Sequence, residues 1–198
     1  MSSLVVLTTD PALETLLRGA FAPAWTMTSG PDIPSRRADL FVVGADRVGS
    51  IARLRSAGGA IGRGAIVVVG DPAGDDAAID DRLPHPPTRD DIVALAARWT
   101  PPATPALDRL SAAFGRAEVV GLATGLCVQL DAAVAALARG QDVDAAHRLA
   151  GLSGMLGFAH LGGRWAALSD GEAVDRRALH VATRQAVVAL DRFVERAR

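Results

Sequence analysis

Three prolines fall within the six residues 100–105 (TPPATP), and they split the chain into two halves of different character. Proline at that density disfavours both a helix and a central strand. A Pro-rich linker is therefore expected at 100–105, between domains at 1–99 and 106–198. The 198 residues suffice for two domains of roughly 100 residues each. Before the linker, short apolar runs alternate with helical patterns. After it, no strand pattern survives.

In the first half, residues 4–7 form an apolar strand, and Asp10-Pro11 reads as an N-cap followed by proline at the first helical position. That helix runs to about Phe21 with Leu13, Leu16 and Leu17 on one face. Residues 25–28 form a weaker second strand, 39–44 (DLFVVG) a buried one, and 65–70 (AIVVVG) another. An Arg-rich helix near 48–56 and an amphipathic helix at 90–99 complete the set. Strands apolar on both faces suit a parallel sheet covered by helices, an α/β domain.

In the second half, segments 106–114, 116–139, 141–156, 158–169 and 172–196 carry helical periodicity. Gly140, Gly157 and Gly171 stand at their ends. A short leading helix and an antiparallel four-helix bundle are expected.

The chemistry concentrates in residues 145–158 (AAHRLAGLSGMLGF). On a helix, Leu149, Leu152, Ser153 and Leu156 make the core stripe, and His147 points roughly 160–170° away from its middle. Ala150, Gly151 and Gly154 share the outer face with His147. Exposed helix positions normally carry Arg, Glu, Lys or Gln. Each glycine inside a helix costs on the order of 1 kcal/mol relative to alanine. Two of them beside an exposed histidine fit the close approach of another body. The alternative is a solvated histidine without a role. A neutral imidazole nitrogen is a good nucleophile near neutral pH. It can take a phosphoryl group from an aspartyl-phosphate, a transfer that depends on in-line positioning and charge neutralisation, both of which the partner can supply.

The run His147-Arg148-Leu149-Ala150-Gly151-Leu152-Ser153-Gly154-Met155-Leu156-Gly157 resembles the signature H-x-L-K-G-x-S-x-x-L-G of histidine-phosphotransfer (HPt) domains. Ala145-Ala146, the turn Gly140-Gln141-Asp142, Leu161 and Leu168, and the opening segment with Phe114-Gly115 are similar to that family too, so the resemblance spans about 105–198. It implies an HPt four-helix bundle with His147 as phosphoryl acceptor. By the same resemblance, Gly151 is the small residue that admits a receiver domain, and Arg148, Ala150, Gly151 and Gly154 form the docking face. Ala150 departs from the pattern, which has a lysine that helps hold the phosphoryl charge. Slower transfer or a less stable phosphohistidine would follow. Arg148 is poorly placed to compensate. All 21 basic residues are Arg, so a bias against Lys does not explain an alanine there.

The first half resembles a response-regulator receiver domain (flavodoxin-like) whose chemical positions are lost. The first strand ends Thr8-Thr9-Asp10 where the family has paired acids. Gly44 stands in place of the acceptor Asp, Gly70 in place of Ser or Thr, and His85-Pro86 in place of Lys-Pro. The resemblance implies a pseudo-receiver that takes up no phosphate. Asp46 reads as a loop or cap residue. No glycine-rich nucleotide motif follows the first strand. His85, His160 and His180 share no metal-ligand spacing.

Composition narrows the remainder. Formal net charge is −1, basic runs are absent and aromatics are only 4%, which argues against nucleic acid or a charged membrane surface as partner. The single cysteine, Cys127, permits no internal disulfide, fits a reducing compartment, and reads as a small buried hydrophobe. The N-terminus lacks a charged leader, and no stretch approaches 18 apolar residues. These features point to the cytoplasm. The expected role is a phosphorelay intermediate in two-component signalling. It would accept a phosphoryl group on His147 from a receiver-domain aspartyl-phosphate, for instance of a hybrid histidine kinase, and pass it to another response-regulator receiver. No ATP-dependent kinase activity and no cofactor of its own are expected, with Mg²⁺ on the partner receiver. The alternative is a phosphate-independent adaptor that acts by docking.

Overall fold

The computed structural model describes residues 2–197 apart from 22–23, 31, 33–36, 58, 72–75 and 142. The chain divides into two compact units, Met1–Pro101 and Pro102–Arg198, with the division inside the proline-rich segment.

Apolar runs rich in valine underlie β1 (Ser2–Leu7), β3 (Leu40–Val43) and β4 (Ala65–Val69), while β2 (Trp25–Ser29) and β5 (Asp81–Leu83) carry more polar residues. They form one parallel sheet in the order β2-β1-β3-β4-β5. β3 and β4 are buried on both faces, whereas β2, at an edge, alternates between covered and open positions. Val5, Leu7, Phe41, Val43, Ile66 and Val68 share one apolar cluster with Ile51 and Leu54 of α2 (Ser50–Ser56). The alternate residues Leu4, Val6, Leu40, Val42 and Val67 point to the opposite face and are equally buried. α1 (Pro11–Phe21) and α4 (Arg89–Arg98) pack on each other and bury Leu13, Leu17, Phe21, Ile92 and Leu95. A capping box between Thr88 and Asp91 starts α4.

The expected Arg-rich helix is α2, starting at Ser50; a 3₁₀ turn at Ala45–Arg47 precedes it, and a short α3 (Gly59–Arg63) that the sequence pattern did not suggest follows. Arg55 anchors this region. Its guanidinium pairs with Asp80 and donates to the carbonyls of Gly62, Gly64 and Ala78.

The register sets up the upper edge of the sheet. Leu7 lies level with Val43, and Val43 with Val68, so β1, β3 and β4 end together. The loops after them meet there.

The second unit is all-helical among its described residues: α5 (Pro105–Phe114), α6 (Arg116–Ala138), α7 (Ala146–Met155), α8 (Ala159–Ser169) and α9 (Arg176–Arg196). α6 packs along α9 and α7 along α8, with further contacts of α5 with α6, α6 with α7, and α8 with α9. One core holds Leu126, Leu130, Leu149, Trp165, Leu179 and Leu190 among others. Cys127 forms no disulfide and is buried in it, its thiol donating to the Val187 carbonyl at 3.7 Å.

Helix boundaries differ from expectation most at the starts of α7 and α9. α7 starts at Ala146 instead of 141, because a turn at 143–145 intervenes and no side chain caps its N-terminus. α9 starts at Arg176 instead of 172, because Asp175 is its N-cap and accepts from the Ala178 N–H at 2.9 Å. α8 begins one residue later than expected. Of the turn Gly140-Gln141-Asp142, Asp142 lies outside the described residues. Gly140, at φ +67, ends α6.

One helix among the described residues, α6, is long and apolar enough by length and composition to cross a membrane, contrary to the reading of the sequence. Leu126, Leu130, Val134 and Leu137 are nonetheless buried along it within the unit, which is what a core helix requires.

Candidate functional site

His147 sits in the first turn of α7, exposed, with no hydrogen bond or ion pair among the described residues. Leu149 and Ser153 are fully buried on the inner face, Leu156 is 4% exposed, and Leu152 is half-buried. Gly151 and Gly154, one and two turns beyond His147, are exposed. A Cβ built on either meets nothing within 4 Å. The ground on the glycine side of the imidazole is therefore open and backbone-high, with the exposed Asp144 three residues before His147. Arg148 is exposed beside it.

Ala150 corrects the expectation of an open outer face. It is half-buried and packs against the helical core. The cause is α8. A Cβ on Gly162 would lie 2.8 Å from the Ala150 carbonyl oxygen, 3.2 Å from the Gly154 nitrogen and 3.5 Å from the Gly154 Cα. The two helix backbones thus touch at 150–154, directly behind the open glycines. Gly162 was missed in the sequence. The signal was Gly162-Gly163, an unexplained glycine pair inside a helix.

The upper edge of the sheet in the first unit is a different kind of place. A cavity of about 210 Å³ is lined there by Thr8, Thr9, Asp10, Gly44, Asp46 and His85. The crevice lies outside the carboxyl ends of β1 and β3, where the strand order reverses. Its acids are already engaged. The Thr8 hydroxyl donates to Asp46 Oδ1 at 3.1 Å, and the Thr9 N–H and hydroxyl both donate to Oδ2 at 2.8 Å. Burial pushes the Asp46 carboxyl up, but these hydrogen bonds outweigh it and hold its pKa below the usual carboxylate range. Asp10 Oδ1 accepts from the Ala12 N–H at 2.8 Å, capping α1.

Neither glycine here readily takes a reactive side chain, Gly44 for want of space and Gly70 for its backbone. A Cβ on Gly44 would come to 2.4 Å from Asp46 Oδ1 and 2.6 Å from Thr8 Oγ1. Gly70 has φ +94, a conformation that side chains rarely adopt. Asp46 was expected as a loop or cap residue. It lies in the 3₁₀ turn, but it fastens the loop after β1 instead of capping a helix. The doublet Thr8-Thr9 was the overlooked sign.

His85 lines this cavity, His160 opens α8, and His180 is buried in α9. Among the described residues no group of three or more His, Cys, Asp or Glu is arranged to hold a metal ion. Searches of protein-family models, of curated proteins and of solved structures found no match to this chain.

Proposed function

We propose that the chain is a phosphorelay intermediate whose second unit is an HPt four-helix bundle and whose first is a receiver-like module without an acceptor. The observation that carries the reading is the exposed, unengaged His147 with Gly151 and Gly154 open on the same helix face. An imidazole nitrogen attacks the phosphorus of an aspartyl-phosphate on a partner receiver. The new N–P bond forms as the P–O bond to the aspartate breaks, in line, and the return step runs in reverse toward another receiver. Mg²⁺ and the groups that neutralise charge belong to the partner. The chain contributes a nucleophile with nothing tall beside it. Support for the first half of the reading is the crowded Gly44, which leaves no space for a carboxylate.

Incubation with phosphorylated receivers tests this. Acid-labile, base-stable label on the wild type is expected, and none on His147→Gln, with an unchanged melting profile because the side chain is exposed. Equal labelling of the variant overturns the assignment.

A docking adaptor that transfers nothing is favoured by one observation, the uncharged, half-buried Ala150 where the resemblance calls for a cation. In that case the wild type stays unlabelled, and His147→Gln binds receivers as the wild type does.

A further inference from the structure

The outward face of α6 is not packed on by any described residue of the second unit. Glu118, Gly121, Leu122, Gly125, Val128, Ala132 and Arg139 are exposed along it, with Gln129 and Ala136 half-buried. Leu122 and Val128 are each about half exposed, at 52% and 51%. At 100° per residue these nine positions fall within an arc of about 120°, opposite the buried stripe. Glu118, Leu122, Gly125, Gln129, Ala132, Ala136 and Arg139 recur at alternating steps of four and three, the spacing of a helix–helix seam. Gly121 and Gly125 are open, with nothing within 4 Å of a built Cβ. Glycine there costs helix stability relative to alanine, and nothing within the second unit requires it.

The seam is complementary to itself in one direction only. Run antiparallel to a second copy about a point between Val128 and Gln129, it sets Glu118 against Arg139 of the other copy, Gly121 against Ala136, Gly125 against Ala132 and Val128 against Gln129. Both ends pair opposite charges, and each glycine meets an alanine. The helix dipoles also oppose each other favourably. A parallel arrangement sets Glu118 against Glu118 and Arg139 against Arg139. We propose that α6 is the contact of a two-fold homodimer in which two copies pack antiparallel through this face, closely because glycine and alanine line it.

The size of the seam fixes its strength. From Glu118 to Arg139 it runs about 31 Å at 1.5 Å per residue. At a width of about 10 Å it covers roughly 300 Å² per copy, well below the ~800 Å² per partner of standard stable complexes. A contact of that area belongs with weak, transient associations. This inference stands independently of phosphotransfer.

Sedimentation equilibrium of the full chain from about 1 to 500 μM, a range set by that weak-contact estimate, is the test. The average mass should climb toward twice the monomer's, and Gly125→Gln should stay monomeric with an undiminished melting temperature. Glu118→Arg and Arg139→Glu should each weaken the dimer about tenfold, since both end pairs become like-charged. An equimolar mixture of those two variants should recover wild-type affinity, because the antiparallel heterodimer restores opposite charges at both ends. Should Gly125→Gln fail to fold, the mixture decides alone. A monomer throughout overturns the proposal, as does a dimer indifferent to these changes or a mixture that does not recover. A monomer whose Gly125→Gln variant loses binding to a receiver, or to vesicles of anionic phospholipid, assigns the face to that occupant and overturns it equally.

Discussion

The upper edge of the sheet and the outer face of α7 both carry glycine beside a titratable group, yet they are built on opposite terms. At the sheet edge, Asp46 and Asp10 have their oxygens engaged by Thr8, Thr9 and Ala12, and the space over Gly44 is filled. On α7, His147 has no bonded neighbour among the described residues, and the space over Gly151 and Gly154 is empty. Glycine is thus an unreliable sign of accessibility. In one place the space above it is taken by the protein's own side chains, and in the other it is open. A group that must meet an outside partner has to remain unspent, as His147 is and as the Asp46 carboxylate is not.

The largest effect should come from behind the open face. Gly162→Val forces a side chain against the backbone of α7 at 150–154 and should destabilise the chain by about 3 kcal/mol or more, read by chemical denaturation. A neutral result would mean that α8 does not support the histidine face. Next in size is Gly44→Ala, expected to cost about 1–2 kcal/mol because the added methyl displaces Asp46 and Thr8. The cost should shrink in an Asp46→Ala background, since the two changes share one contact. Strict additivity would show that the sheet edge is not occupied as described.

Gly151→Gln should go the other way, gaining somewhat under about 1 kcal/mol because an exposed helical glycine is replaced. It should also block phosphoryl acceptance at His147 by filling the approach. Loss of stability would put Gly151 in the same class as Gly44 and dissolve the contrast. The smallest effect is acid sensitivity. The Asp46 pKa is lower folded than unfolded, so its contribution is complete above about pH 4 and fades as pH falls through the folded value. With the carboxylate 36% exposed, solvent screening keeps this below about 1 kcal/mol. Denaturation midpoints for wild type and Asp46→Asn should converge as the pH is lowered below 4; parallel curves would count against the clasp.

The sheet was legible because buried parallel strands write themselves as continuous apolar runs, DLFVVG and AIVVVG being unambiguous. The five helices were legible from period and from glycines 140, 157 and 171, though not the starts of α7 and α9. Asp175 capping α9 is a choice among several acidic residues that sequence alone does not rank. The exposure of His147 followed from angle arithmetic. That of Ala150 did not, because helical phase locates a residue on its own helix and says nothing of a second helix pressed close by a glycine. Asp46 was obscured for a similar reason: its partners lie 37 and 38 residues away.

The backbone contact at Gly162 also constrains how the chain can change over generations. Any side chain at 162 requires residues 150–154 to retreat, and a retreat there moves the ground on which His147 stands. The two helices can drift only as a pair, so substitutions at 162 should survive in descendants chiefly when position 150 or 154 has changed with them.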